Sequence, residues 1–136
     1  MTPEQVAQVQ ASFAKVVPIA NQAAALFYGR LFETAPQVRP LFRGDMESQG
    51  EKLMAAIATV VENLATIDAI VPTVQELAKR HVAYGAIPAH YEVVGATLLW
   101  TLEQGLGAEF TPAVRDAWAA AYGDLSAVMI AAAYPD

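Results

Sequence analysis

The chain has 136 residues, 55% of them hydrophobic and 16% charged, and its eight basic and fourteen acidic side chains give a net charge of −6. This length suits one domain with a single core, and the apolar content excludes a disordered chain. The acidic balance argues against nucleic acid or an anionic membrane as a partner, since both need clustered positive charge, and the lack of any cysteine removes disulfides, iron–sulfur clusters and thiolate chemistry.

Thr2-Pro3-Glu4-Gln5 reads as a helix start: Thr2 caps, Pro3 fits the first helical position, and Gln5 stands where a capping box needs it. Glu4 and Gln5 also interrupt any apolar leader, so no signal peptide is expected and a cytoplasmic location is the default. Val6, Val9, Phe13 and Val16 recur at helical spacing until Pro18 ends or bends the helix. A second helix runs from about Asn21 to Thr34, with Ala24, Phe27, Tyr28, Leu31 and Phe32 on one broad face, and closes at Pro36. Pro36 to Phe42 is too short and proline-rich for a full α-helix, so a turn or 3₁₀ piece is predicted, followed by a loop at Arg43-Gly44-Asp45. From Met46 the helical period returns through Gln49, Leu53, Ile57, Val60 or Val61, and Leu64.

A short turn at Ile67 to Ile70 leads to a helix opened by Pro72, with Val74, Leu77 and Ala78 facing in and His81 one turn after Leu77. Gly85 suits the position just past a helix end, where positive φ costs nothing, and Pro88 suits the first turn of the next helix. That helix carries His90 and Tyr91 on its first turn, continues through Val93, Val94, Thr97, Leu98, Trp100 and Leu102, and stops at Gly105 and Gly107. Thr111-Pro112 repeats the opening cap for a last helix with Val114, Trp118, Ala121, Leu125, Val128 and Met129 inward. No stretch is apolar for the roughly 18 residues that a membrane helix requires, and no period-two strand or internal repeat appears. About seven helices joined by short, proline-marked turns predict an all-α domain that packs pairwise at steep angles.

Tyr28, Gln49, His81 and Tyr91 break the apolar stripes. A buried phenol or amide needs a hydrogen-bond partner or costs about 1–3 kcal/mol. Each alone reads as a core residue bonded to a backbone carbonyl; four on separate helices suggest a polar pocket for a small ligand or cofactor. Two histidines and no cysteine cannot complete a standard zinc site without distant carboxylates, and no motif for a metalloprotease, serine hydrolase, dinucleotide or phosphate loop is present. The methionines Met46, Met54 and Met129 read as core fillers. A haem held by one histidine needs only a single protein ligand and an otherwise apolar slot.

The Leu26 to Phe32 run, Pro36 to Phe42, the Gln49 and Leu53 pair, His81 with Gly85, His90 and Tyr91, and Asp116-Ala-Trp118 with Tyr122 together resemble the globin family. The match is to bacterial single-domain haemoglobins and the globin domain of flavohaemoglobins, and it covers essentially the whole chain as one domain over residues 1–136. The resemblance implies a globin fold around haem b, with His81 as the iron ligand, its other N–H given to a carbonyl near Leu77. Phe42 would wedge against the haem face, Tyr28 and Gln49 would donate to a diatomic guest, and Leu53 would pack over it. Lys52, and Lys79 or Arg80, would pair with haem propionates or stay as solvated charges. His90 fits the family but opens a helix and reads as structural.

Two departures qualify the match. The chain ends before a reductase with flavin and nicotinamide sites could begin, and Ala133 stands where the family often has a glutamate that, with the tyrosine matching Tyr91, bonds the proximal histidine. A histidine without that carboxylate has less imidazolate character. The implied function is reversible O₂ binding or delivery, with O₂, NO or CO as ligands and a separate reductase as partner, in a monomer or homodimer. The alternatives are oxidation of NO to nitrate with an external reductase, a haem-based gas or redox sensor, and a haem-free helical interaction module.

Overall fold

The computed structural model describes residues 1–42, 44–83 and 85–134. Arg43, read above as loop, lies outside the described residues. Among those described there are six α-helices, four 3₁₀ segments and no strand, against an expectation of about seven helices. The six are α1 (Pro3–Val16), α2 (Ala20–Thr34), α3 (Met46–Glu62), α4 (Val71–Ala83), α5 (Pro88–Leu106) and α6 (Pro112–Ala133).

Local chemistry sets their ends. The Thr2 hydroxyl accepts from the Gln5 N–H at 3.1 Å and the Gln5 side chain accepts from the Thr2 N–H at 3.0 Å, closing the expected capping box. Asp45, which the sequence reading left in a loop, caps α3 by accepting from the Glu47 and Ser48 N–H groups. The proline-rich Pro36–Leu41 piece is a 3₁₀ helix, as its composition required. Gly85 has φ 98°, and the Ala86 N–H donates to the His81 carbonyl at 2.9 Å, so the turn follows the end of α4 at Ala83, two residues after the histidine. The His90 Nδ1 accepts from the Ile87 N–H at 3.3 Å at the start of α5, a structural use of that ring.

The main core gathers Val9, Phe13 and Val16 of α1, Leu102 and Leu106 of α5, and Ala117, Trp118 and Ala121 of α6. The Trp118 indole donates to the Ser12 hydroxyl at 2.8 Å, which satisfies two buried polar groups inside that core. Met129 is buried, and Met46 and Met54 pack on apolar clusters as fillers.

Helix α4 packs on α6, α1 on α6, and α2 on both α5 and α3. Helices α3 and α4 do not form a close pair among the described residues. They are joined by the 3₁₀ segment Leu64–Ile70, where Thr66 leaves helical geometry, and the chain bends by 106° between Met46–Glu62 and Leu64–Ala83. Among the described residues, no single helix is long and apolar enough to cross a membrane.

The α2–α3 crossing is close because Gly50 is buried against Ala24: a Cβ at Gly50 would stand 3.0 Å from the Ala24 Cβ. The Gly50→Val variant should therefore force the two helices apart and lose about 1–3 kcal/mol of stability through overpacking. Urea unfolding of the variant against the parent chain measures this; an unchanged midpoint would mean that the crossing is loose.

Candidate functional site

Helix α2 supplies one side of the candidate site. Tyr28 is buried on its inner face, edge-on to Phe27 and to Phe42 with ring centroids 5.2 Å apart in each pair, and stacked near Phe32. Leu53 of α3 and Val94 and Leu98 of α5 pack against this cluster. Phe42 follows the 3₁₀ turn and is half-buried, so the turn delivers its ring to the phenol. The Tyr28 hydroxyl donates to the Gln49 carbonyl at 3.4 Å. That is a long bond, so the hydroxyl is loosely held, and the link runs through the backbone of Gln49. The Gln49 side chain is half-buried beside it.

Burial pushes the Tyr28 phenol up from its ordinary value of 10 to about 12, because a phenolate among aromatic rings would lack solvation. Tyr28 is therefore a neutral donor throughout the physiological range.

Helix α4 supplies the other side. His81 is half-buried on its last turn, and its Nδ1 lies 2.7 Å from the Leu77 carbonyl. A carbonyl accepts only, so Nδ1 carries a proton in this contact. This is the contact expected one turn back. Tyr91 of α5 is buried in a cluster with Val74 and Ala78 of α4 and Met129 of α6. Its backbone carbonyl accepts from the Tyr122 hydroxyl at 2.6 Å, while its own hydroxyl has no hydrogen-bond partner among the described residues. Burial, and then the neighbouring Tyr134 phenol, push the Tyr91 hydroxyl upward from 10. The Tyr134 hydroxyl donates to the Ala86 carbonyl, and Ala86 in turn holds the His81 carbonyl. The end of the chain thus ties down the turn that follows His81. Nothing in the sequence reading singled out Tyr134; its signal is only an aromatic residue one position after Ala133.

The four polar residues expected in one pocket fall into two pairs. Tyr28 and Gln49 touch in one apolar cluster, and Tyr91 packs on α4 one turn from His81 in another. Between α3 and α4 lies a cleft of about 300 Å³, walled by Ala56 and Val60 on one side and Val74 and Leu77 on the other, with exposed Arg80 on its rim. Of the basic residues proposed to meet acidic groups of a cofactor, Arg80 lines the cleft. Lys52 is exposed, and Lys79 is 62% exposed with its ammonium 3.7 Å from Glu76.

Among the described residues, no cluster of three or more His, Cys, Asp or Glu could hold a bare metal ion. A haem needs only one protein imidazole, and His81, with its ring oriented by the Leu77 carbonyl, is a residue that could supply it; the cleft itself is lined by Leu77 and Arg80 of α4 but not by His81 or Tyr28.

A model of the globin family matches residues 25–129, and the chain belongs to that family. It is 32% identical over 133 residues to a flavohemoprotein of Bordetella parapertussis and 33% identical over 133 residues to one of Deinococcus radiodurans, in each case over 96% of this chain and 33% of the relative. The chain thus spans about a third of the length of these curated relatives. The structure of a bacterial globin from Campylobacter jejuni superposes with a TM-score of 0.86 at 25% identity, covering 98% of this chain and 97% of that one.

The buried phenol sets a pH dependence. Below pH 10 both folded and unfolded states hold the Tyr28 proton and stability does not change. Between 10 and about 12 the unfolded chain ionises first, which favours unfolding. The urea midpoint should therefore fall as pH rises through this window, and less steeply in Tyr28→Phe. Equal slopes in the two chains would show that Tyr28 ionises as freely when folded.

Proposed function

We propose that this chain is a haem-b globin that binds O₂ reversibly, with His81 as its iron ligand. Haem supplies an iron whose two axial positions can be taken by a protein imidazole and a diatomic gas. The observation that carries the reading is the His81 Nδ1 contact with the Leu77 carbonyl at 2.7 Å, a backbone hydrogen bond of the kind that orients an iron-ligating imidazole. Membership of the globin family supports it, and relatives named flavohemoproteins add support for haem.

On the gas side, the Tyr28 hydroxyl is a neutral, desolvated donor held loosely enough to turn from the Gln49 carbonyl toward a guest. A preorganised donor in an apolar setting stabilises charge that develops on the guest. Gln49 adds a second donor from the first turns of α3, and Leu53 and Phe42 keep water away from the same space. Arg80 rather than Lys79 or Lys52 is the cation best placed for a haem propionate, because it lines the cleft.

The second reading is oxidation of NO to nitrate by O₂ at the same site, with electrons from a separate reductase. It is favoured by the relatives, whose name joins a flavin to a haem and whose chains are about three times as long as the shared part.

Absorption spectra of ferric, ferrous and CO-bound protein test the first reading. His81→Ala should fail to retain haem or lose the five-coordinate ferrous band; a mutant spectrum like the parent's would remove His81 as ligand. Tyr28→Phe should speed O₂ release about tenfold, the worth of one hydrogen bond of about 1.4 kcal/mol, and an unchanged off-rate would exclude that role. NO consumption with a generic electron donor separates the two readings: sustained turnover supports the enzyme, and a single turnover supports reversible binding.

A further inference from the structure

A short piece of chain joins the two parts of the site. Phe42 is gripped at both backbone groups by Arg39: its N–H donates to the Arg39 carbonyl at 3.1 Å, and its carbonyl accepts from the Arg39 Nη1 at 3.2 Å. The same guanidinium lies over the Phe32 ring, 5.0 Å from the centroid, as a planar cation does on the negative face of an aromatic ring. Phe32 and Phe42 meet edge to face at 5.3 Å, and Tyr28 packs on both.

These ring contacts decide where the phenol points. The bond from the Tyr28 hydroxyl to the Gln49 carbonyl is long, at 3.4 Å, and so weak. Three rings surround Tyr28 with centroids 5.2 to 5.9 Å away, those of Phe27, Phe32 and Phe42. Arg39 touches two of the three, Phe32 through its face and Phe42 through its backbone. Removing the guanidinium uncovers one ring and frees the carbonyl that anchors the other.

Leu41, two residues along, meets the other part of the site. It packs on the cluster of Phe27, Tyr28 and Leu31, and its Cδ2 reaches the Gly85 turn, where a Cβ on the glycine would stand 2.9 Å from it. That turn carries the Ala86 N–H to the His81 carbonyl at 2.9 Å. Between Arg39 and Leu41 stands Pro40, inside the 3₁₀ helix. Its ring fixes φ and stiffens the link between its neighbours.

We infer that Arg39 and Leu41 are positioning residues, and that residues 39–42 form a strap coupling the Tyr28 and His81 parts of the site. Arg39 sets Phe42 and, through the rings, the phenol; Leu41 seats the turn after His81. The effect on a bound gas rests on the function proposed above; the mechanical link does not. Loosening either end of the strap loosens both the aim of the phenol and the turn behind the imidazole.

Amide hydrogen exchange on the colourless chain tests the link without haem. Arg39→Gln and Leu41→Ala should each speed exchange of the Ala86 N–H about fivefold or more while the α1 amides keep their rates, as a local opening does. Leu41→Met conserves volume and should keep the parent rate. Arg39 is exposed, so Arg39→Gln decides alone if Leu41→Ala does not fold. An Ala86 rate unmoved by Arg39→Gln, or one that rises only together with the α1 amides, would overturn the link.

O₂ release from the haem-loaded protein reads the coupling at the gas. Leu41→Ala should speed release about threefold, and that effect should vanish when Tyr28 is already Phe. An equal acceleration in the Tyr28→Phe background would show that Leu41 does not act through the phenol and would overturn the coupling. A chain that takes up no haem would sink the function proposed above and leave the exchange result standing.

Discussion

The site depends on two helices being kept apart. Helices α3 and α4 follow one another in the chain, and each carries an apolar stripe that would bury surface if they closed together. Burial of that kind is worth roughly 25 cal/mol per Å², so something must hold the cleft open. The restraint is that each helix is already engaged: α3 rests on α1 and α2, and α4 rests on α6. The chain also turns by 106° between Met46–Glu62 and Leu64–Ala83. The surface left over is the cleft lined by Ala56, Val60, Ile70, Val74 and Leu77, with Thr59, Thr73 and Glu76 beside them and Arg80 exposed on its rim.

The α2 and α4 parts of the candidate site have different electrostatic surroundings. On the α2 side a phenol is stripped of water, so it keeps its proton and can only give a hydrogen bond away. On the α4 side an imidazole is fixed by a neutral backbone carbonyl, which orients it without charging it. Ala133 contributes no polar atom at the end of α6, while the next residue, Tyr134, reaches the Ala86 carbonyl. The turn after His81 is therefore braced by a neutral hydrogen bond, and the Tyr91 hydroxyl lies buried without a partner among the described residues.

Much of this was legible in the residues. Helix starts at Thr2 and Thr111, the 3₁₀ piece after Pro36 and the stop at Gly85 follow from local chemistry, because caps, prolines and a positive φ act within four residues of one another. The contact of His81 with Leu77 was also within reach, since a helix sets side chains one turn apart on one face. Asp45 as a cap and Tyr134 as a brace were not recovered: the first lay in a stretch read only as loop, and the second acts across 48 residues.

What the sequence by itself determined is therefore the set of helices, their buried faces and the identity of the imidazole and phenol they carry, since these depend on spacing along the chain. Only the tertiary structure decided which of those faces meet. It paired Tyr28 with the Gln49 backbone through the Ala24–Gly50 crossing and brought Arg80 rather than Lys52 or Lys79 to the cleft. Those outcomes turn on the angles and distances between helices, which arise from how all the side chains fill space together and are not written in the period of any one segment.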